Sequence, residues 1–248
     1  MIFRVGIPAR HGAQRLPGKP LLPLAGRPMI EHVWRRAMEA GAAEVVVATD
    51  DERIATVAKG FGAEVELTAP ELPSGTDRCA VVAARRGWDD DAIVVNLQGD
   101  EPLMPPPLLR QVAELLARDP AAGLATLCTP IVTAAELQDP NVVKVVFAED
   151  GAALYFSRAP IPWDRDGGGG ARGAHRHLGI YAYRVAALAQ LTALPACELE
   201  RIERLEQLRA LWSGLRIRID LAQVMPGPGV DTPADLARVE ALLRSREA

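Results

Sequence analysis

Ile2-Phe3-Arg4-Val5-Gly6-Ile7-Pro8-Ala9 is a nearly unbroken apolar run, and it leads straight into Arg10-His11-Gly12-Ala13-Gln14-Arg15-Leu16-Pro17-Gly18-Lys19-Pro20. An apolar segment of this length without strict alternation reads as a strand buried on both faces. The residues after it change character abruptly, to a loop with two glycines, two arginines and a lysine. The same strand texture returns at Glu44–Thr49, Glu64–Thr68, Ala92–Leu97, Leu124–Pro130 and Val142–Phe147. Helical periodicity fills the gaps at Pro28–Ala40, Asp51–Phe61, Thr76–Arg86 and Leu108–Arg118. Strands alternating with helices predict an α/β, Rossmann-like fold, a mostly parallel sheet covered by helices on both faces.

The rhythm alters after Asp150. Ala152–Ser157 and His177–Arg184 read as strands around a glycine-rich stretch, Asp164–Gly173, followed by a helix at Leu199–Trp212, a strand at Arg216–Leu221 and a helix from Pro233. No Ser/Pro-rich linker divides the chain, so residues 1–248 are expected to form one domain. Its 248 residues are 49% hydrophobic and 24% charged, a globular composition. A formal net charge of −4 gives no reason to expect broad nucleic-acid or membrane binding. Cys79, Cys128 and Cys197 are isolated from one another and the four histidines form no metal motif, which argues against zinc and against a disulfide framework. The first residues lack a signal-peptide pattern and no apolar run reaches the ~20 residues of a membrane span, so a cytoplasmic location is expected.

In open α/β sheets, ligands bind beyond the carboxyl ends of the strands, which directs attention to three segments. The loop after the first strand suits an anion: its glycines let backbone N–H groups approach, while Arg10, Arg15 and Lys19 supply charge. Gly12 and Gly18 enclose five residues and Pro20 stands where a Walker A loop has Ser or Thr, so it is not that loop. The second segment is Gln98-Gly99-Asp100-Glu101-Pro102. It places Asp100 at the ligand edge of the fourth strand, where a hard carboxylate suits magnesium. Third, Gly229-Val230-Asp231-Thr232-Pro233-Ala234-Asp235 makes Thr232 a helix N-cap with Asp235 completing the box, so Asp231 is not needed for capping. Ser74-Gly75-Thr76-Asp77-Arg78 opens a helix with residues small enough for a base to approach, and Thr76 is a natural cap. In the helix expected at Leu199–Trp212, Ile202, Leu205, Leu208 and Trp212 form a stripe, and Glu206 falls about 40° from Ile202.

Pro8-Ala9-Arg10 followed by Arg15-Leu16-Pro17-Gly18-Lys19-Pro20-Leu21 resembles the cytidylyltransferases that activate sugar acids, most closely those acting on 3-deoxy-manno-octulosonate. Seven further segments extend the likeness to about Ile2–Arg244: VATDDERI, SGTDR, NLQGDEP, ALYFSRAPIPWDRD, RHLGIYAYR, LEQLR and GVDTPADL. The resemblance implies a nucleotide-diphospho-sugar transferase fold and transfer of CMP from CTP to the sugar acid with magnesium as cofactor. The product, CMP-Kdo, would serve lipopolysaccharide synthesis. It implies that Pro8, Ala9, Arg10, Lys19, Ser74, Gly75, Arg78 and Gln98 bind CTP. Asp100 and Asp231 would hold the metal, with Arg10 and Lys19 beside them as the catalytic charges. The sugar acid would fall to Arg15, Gln98, Arg158, His177, Tyr181, Glu206 and Gln207. The family is commonly dimeric, which points to residues 124–185 for the dimer contact and part of the sugar site. The sequence departs from the family pattern at His11, where an aromatic is frequent, and in its short run Gly167–Gly170.

Overall fold

A computed structural model describes residues 1–12, 16–167 and 170–247. The chain opens with β1 (Arg4–Ala9), a 3-10 turn at Lys19–Leu21 and a small hairpin, β2 (Pro23–Leu24) with β3 (Arg27–Pro28). Then follow α1 (Met29–Glu39), β4 (Glu44–Thr49), α2 (Glu52–Gly60), β5 (Glu64–Leu67), α3 (Gly75–Arg86), β6 (Ile93–Asn96) and α4 (Pro106–Ala117). The second half contains β7 (Leu124–Pro130), α5 (Ala134–Gln138), β8 (Lys144–Phe147), β9 (Ala153–Ser157), β10 (His175–Arg184) and α6 (Val185–Ala193). It closes with α7 (Glu198–Glu203), α8 (Gln207–Trp212), β11 (Ile217–Leu221) and α9 (Pro233–Glu247).

The main sheet runs β11-β7-β10-β6-β1-β4-β5, with β8 and β9 joined to it through β10. Along that path every strand is parallel to the rest except β10, which is antiparallel to both β6 and β7. The expected mostly parallel sheet is therefore present, with one reversed strand at its centre. Val5, Ile7 and Val95 meet Ile30, Val33, Leu108 and Val112 of α1 and α4 on one face, while Val46 and Val94 meet Cys79, Val82 and Leu188 of α3 and α6 on the other. Gly6 is required by this packing: a Cβ there would lie 2.7 Å from Cys79 Sγ. Burial raises the Cys79 thiol pKa to about 12, so it is an inert packing group, as expected for these cysteines.

The predicted strands agree within a few residues. Three differences are instructive. The helix expected at Leu199–Trp212 is two helices, because Arg204 adopts a left-handed φ of 54° between α7 and α8. The stripe drawn on it therefore does not exist as one face: Leu205 and Leu208 are buried while Ile202 and Trp212 are exposed. The cap of α3 is Ser74, not Thr76, with Asp77 completing the capping box. Elements with no sequence expectation also form, namely the β2–β3 hairpin, α5 and α6.

Strand order reverses beside β1, which has β4 on one side and β6 on the other. That is the switch point of an open α/β sheet, and a crevice opens there at the strands' carboxyl ends.

Candidate active site

The crevice holds two clefts that share one residue. The larger, about 310 Å³, is lined by Pro8, Ala9 and Arg10 from the end of β1, Gly12 and Lys19 from the loop, Gly75, and Gln98 to Asp100 after β6. The smaller, about 180 Å³, is lined by Gln98, His177, Tyr181, Glu206 and Gln207 among others. Gln98 is the wall between them.

Close backbone approach builds the first cleft. A Cβ on Gly99 would sit 2.7 Å from the Pro8 carbonyl oxygen, and one on Gly75 would sit 2.8 Å from Pro8 Cγ. Three segments distant in sequence thus meet only because glycine stands at two of the crossings. The Lys19 ammonium donates to Asp100 Oδ2 at 2.7 Å, to the Val230 carbonyl at 2.9 Å and to Asp231 Oδ1 at 3.3 Å. The Val230 N–H reaches the Asp100 carbonyl at 2.9 Å. The two aspartates singled out from sequence, 131 positions apart, therefore converge on one cation. Thr232 and Asp235 form the expected cap of α9, which leaves the Asp231 carboxylate to meet Lys19 beside the cleft. Arg10 lines the cleft, with one guanidinium nitrogen donating to the Leu72 carbonyl at 2.7 Å.

Glu101 was missed from sequence, although it adjoins Asp100 in the same motif. Burial, and then repulsion from Asp100 and Asp231, push its carboxyl up to about 8; Lys19 and Arg176 oppose the shift. A neutral carboxyl beside two charged ones keeps local negative charge low.

The second cleft brings His177 and Tyr181 from β10 together with Glu206 and Gln207 at the start of α8. Burial lowers the His177 pKa to about 3, so the ring is neutral. Burial likewise raises Glu206, and Asp77 adds to this, while hydrogen bonds from Thr76 and Ser74 and the charge of Arg209 oppose it. Among the described residues the buried Tyr181 hydroxyl and Gln207 Nε2 make no hydrogen bond of good geometry. Buried polar atoms left unpaired on a cleft wall are what a polyhydroxylated ligand would satisfy. Thr76, Asn96 and Tyr183 also line this cleft. Thr76 follows the cap of α3, while Asn96 and Tyr183 lie inside the NLQGDEP and RHLGIYAYR segments without being singled out there.

Three sequence candidates, Arg78, Arg158 and Ser74, line neither cleft. Arg78 is fully buried behind the cleft, held by Asp50 at 2.7 Å, Thr68 and the Ala69 carbonyl at 3.2 Å. Its charge is already matched inside the protein, so it shapes the site without lining it. Arg158 donates through Nε to the Glu203 carbonyl at 2.7 Å and through Nη1 to the Pro140 carbonyl at 2.9 Å, and it is absent from the wall of the second cleft. Arg15 lies outside the described residues. Ser74, the third of these candidates, caps α3, and its hydroxyl lies closer to Asp77 Oδ2 than to Glu206 Oε1 at 3.3 Å.

A family model described as cytidylyltransferase matches residues 5–217. The chain is 58% identical over 250 residues to a 3-deoxy-manno-octulosonate cytidylyltransferase of Thioalkalivibrio sulfidiphilus, covering 99% of this chain and 100% of the relative. It is also 58% identical to the enzyme of the same name from Halorhodospira halophila, covering 98% and 97%. A solved structure of a CMP:2-keto-3-deoxy-manno-octonic acid synthetase complexed with CTP superposes with a TM-score of 0.91 at 44% identity, over 99% of this chain and 100% of that one. With its fold, its two clefts and these full-length likenesses in agreement, the chain belongs to the cytidylyltransferase family, among the 3-deoxy-manno-octulosonate cytidylyltransferases.

Proposed function

We propose that the chain transfers CMP from CTP to 3-deoxy-D-manno-octulosonate, releasing pyrophosphate. The observation that carries this reading is the pair of clefts meeting at Gln98, one lined by Arg10, Lys19 and Asp100, the other by the polar side chains of His177, Tyr181, Gln207 and the buried Glu206. The larger would take the nucleotide and the smaller the sugar acid, which brings an acceptor hydroxyl to the α-phosphate. Such transfers depend mainly on positioning and charge neutralisation. Arg10 and Lys19 would balance the triphosphate, and Gly75 and Pro8 would pack the base.

The donor set suits magnesium. Among the described residues no trio of His, Cys, Asp or Glu converges, but Asp100 and Asp231 already meet on one positive charge. Two carboxylates with phosphate oxygens and water complete the octahedral shell that magnesium prefers. When bound, the ion would add positive charge at the α-phosphate and acidify the sugar hydroxyl. Lys19 would then move its contacts from the aspartates toward phosphate.

Among the described residues no helix is long and apolar enough to cross a membrane. We place the enzyme in the cytoplasm, where CTP is made, and as a homodimer. Val132, Leu154 and Trp163 are 82%, 61% and 66% exposed, large apolar side chains in the stretch 124–185 that a second copy would cover.

Pyrophosphate release should require CTP, magnesium and a sugar acid together, with 3-deoxy-D-manno-octulosonate the preferred acceptor over its 8-amino relative and sialic acid. Release with no acceptor in that panel would remove the reading. Sedimentation at micromolar concentration tests the dimer.

A further inference from the structure

β10 pairs with β7 in regular register from His175 to Leu178, loses it, and resumes at Tyr181 opposite Thr126. Gly179 and Ile180 form the bulge at the break; Gly179 lies on the wall of the smaller cleft and Ile180 is buried in the core. A bulge takes carbonyls out of the ladder and leaves them to find donors. One buried hydroxyl meets them: Thr126 Oγ1 lies 3.1 Å from the Leu178 carbonyl oxygen and 2.8 Å from that of Ile180. The same oxygen lies 3.0 Å from His177 Nε2.

A hydroxyl has one proton to give. Both carbonyls can only accept, so the Thr126 proton goes to one of them, most directly to Ile180. The contact with His177 must then run the other way, from an Nε2–H to Thr126 Oγ1. Among the described residues the one side-chain hydrogen-bond contact of the His177 ring is that of Nε2 with Thr126.

We propose that Thr126 is a positioning residue for the reaction: by closing the β10 bulge it holds His177 as the Nε2–H tautomer. Its Nδ1 lone pair is thereby kept to accept a hydrogen bond from a hydroxyl of the sugar acid. The proposal rests on the assignment of the smaller cleft to the sugar acid. Phe156, edge-on to the ring with centroids 5.0 Å apart, and Tyr181, at 5.2 Å, fix its plane without competing for either nitrogen. Thr126 itself touches no substrate.

The test has two arms. Nitrogen-15 spectra of histidine-labelled protein without substrate should show His177 protonated at Nε2 and bare at Nδ1. Thr126→Ser should keep that pattern, and Thr126→Val, which keeps the shape but removes the hydroxyl, should lose it. In steady-state kinetics Thr126→Val should raise KM for 3-deoxy-D-manno-octulosonate about tenfold, the worth of one hydrogen bond, while KM for CTP holds. Thr126→Ser should restore it, and Thr126→Val should cost little more in a His177→Ala background. A wild-type spectrum with the proton on Nδ1, or equal losses for both substrates, would overturn the role of Thr126 alone. No turnover with any sugar acid, in wild type as well, would overturn the cleft assignment itself.

Discussion

The Arg78 guanidinium has no exposed surface and is paired with Asp50 at 2.7 Å. Burial works against its charge, and Asp50 offsets part of that cost. Removing one member of such a pair leaves the other buried and unmatched, which costs about 3–5 kcal/mol. Arg78→Met should therefore lower Tm by roughly 10 °C, while the protein that remains folded keeps its KM for CTP. A large rise in that KM with little change in Tm would place Arg78 on the nucleotide instead. Lys19 behaves oppositely, since it lines the cleft together with its partner Asp100 and its loss removes charge where phosphate is expected. Lys19→Met should cut kcat/KM about a hundredfold or more with only a small change in Tm. His177 gives a pH signature. Its folded pKa near 3 lies below the ordinary 6.5, so the unfolded chain binds the extra proton first. The stability tied to its neutral form is present above pH 6.5 and is lost progressively as pH falls toward 3, by at most about 2 kcal/mol at pH 5. Thermal melts from pH 7.5 to 5 should show a flatter acid limb in His177→Gln. Arg78, Arg158 and Lys19 all belong to motifs the sequence displays. Which of them faces a ligand depends on Asp50, Glu203 and Asp100, partners that lie 28, 45 and 81 positions away and that no local pattern can identify.

The helices and strands follow local patterning closely, because near-continuous apolar strands and capped amphipathic helices carry their own signals. The break between α7 and α8 carries none: Arg204 takes a left-handed backbone with neither glycine nor proline at that position. Glu206 consequently enters the cleft as the residue preceding α8, not from the edge of a helical stripe. Replacing Arg204 with glycine removes the penalty on a side chain at positive φ and should stabilise the protein by roughly 0.5–1 kcal/mol, with kcat unchanged. A lowered Tm would show that the Arg204 side chain contributes more than its backbone costs. The α6 segment escaped notice for a different reason: Val185–Ala193 is apolar with almost no polar face, so periodicity cannot mark it. The glycine at 99 is a sharper test of the site's construction. Gly99→Ala drives a methyl against the Pro8 carbonyl, whose neighbours cannot yield without opening the nucleotide cleft. The expected result is a KM for CTP raised about tenfold or more, an overpacking strain of roughly 1–3 kcal/mol expressed at the site.

At the scale of the whole molecule, the switch point beside β1 explains why two substrates of unlike chemistry can be brought to one residue, Gln98. Ligand binding there should stabilise the native state by mass action, about 2.7 kcal/mol at a hundredfold excess over Kd. CTP with magnesium should thus raise Tm by several degrees in wild type, and the magnesium-dependent part should vanish in Asp100→Asn. The lone reversed strand carries a further consequence, for the order in which the molecule is built. β10 lies between β6 and β7 yet leaves the ribosome after both. Those two strands are parallel and linked through α4, the connection that in an ordinary βαβ unit joins direct neighbours. Until residues 175–184 arrive, nothing in the chain forbids β6 and β7 from pairing with each other, and such a pairing would shut out the strand that bears His177 and Tyr181. If that pairing formed it would have to open before β10 could insert, so β10 and the smaller cleft are expected to order last. In pulse-labelled hydrogen exchange during refolding, amides of β1 and β4 should gain protection before those of β10; simultaneous protection of all three would mean the gap never closes early.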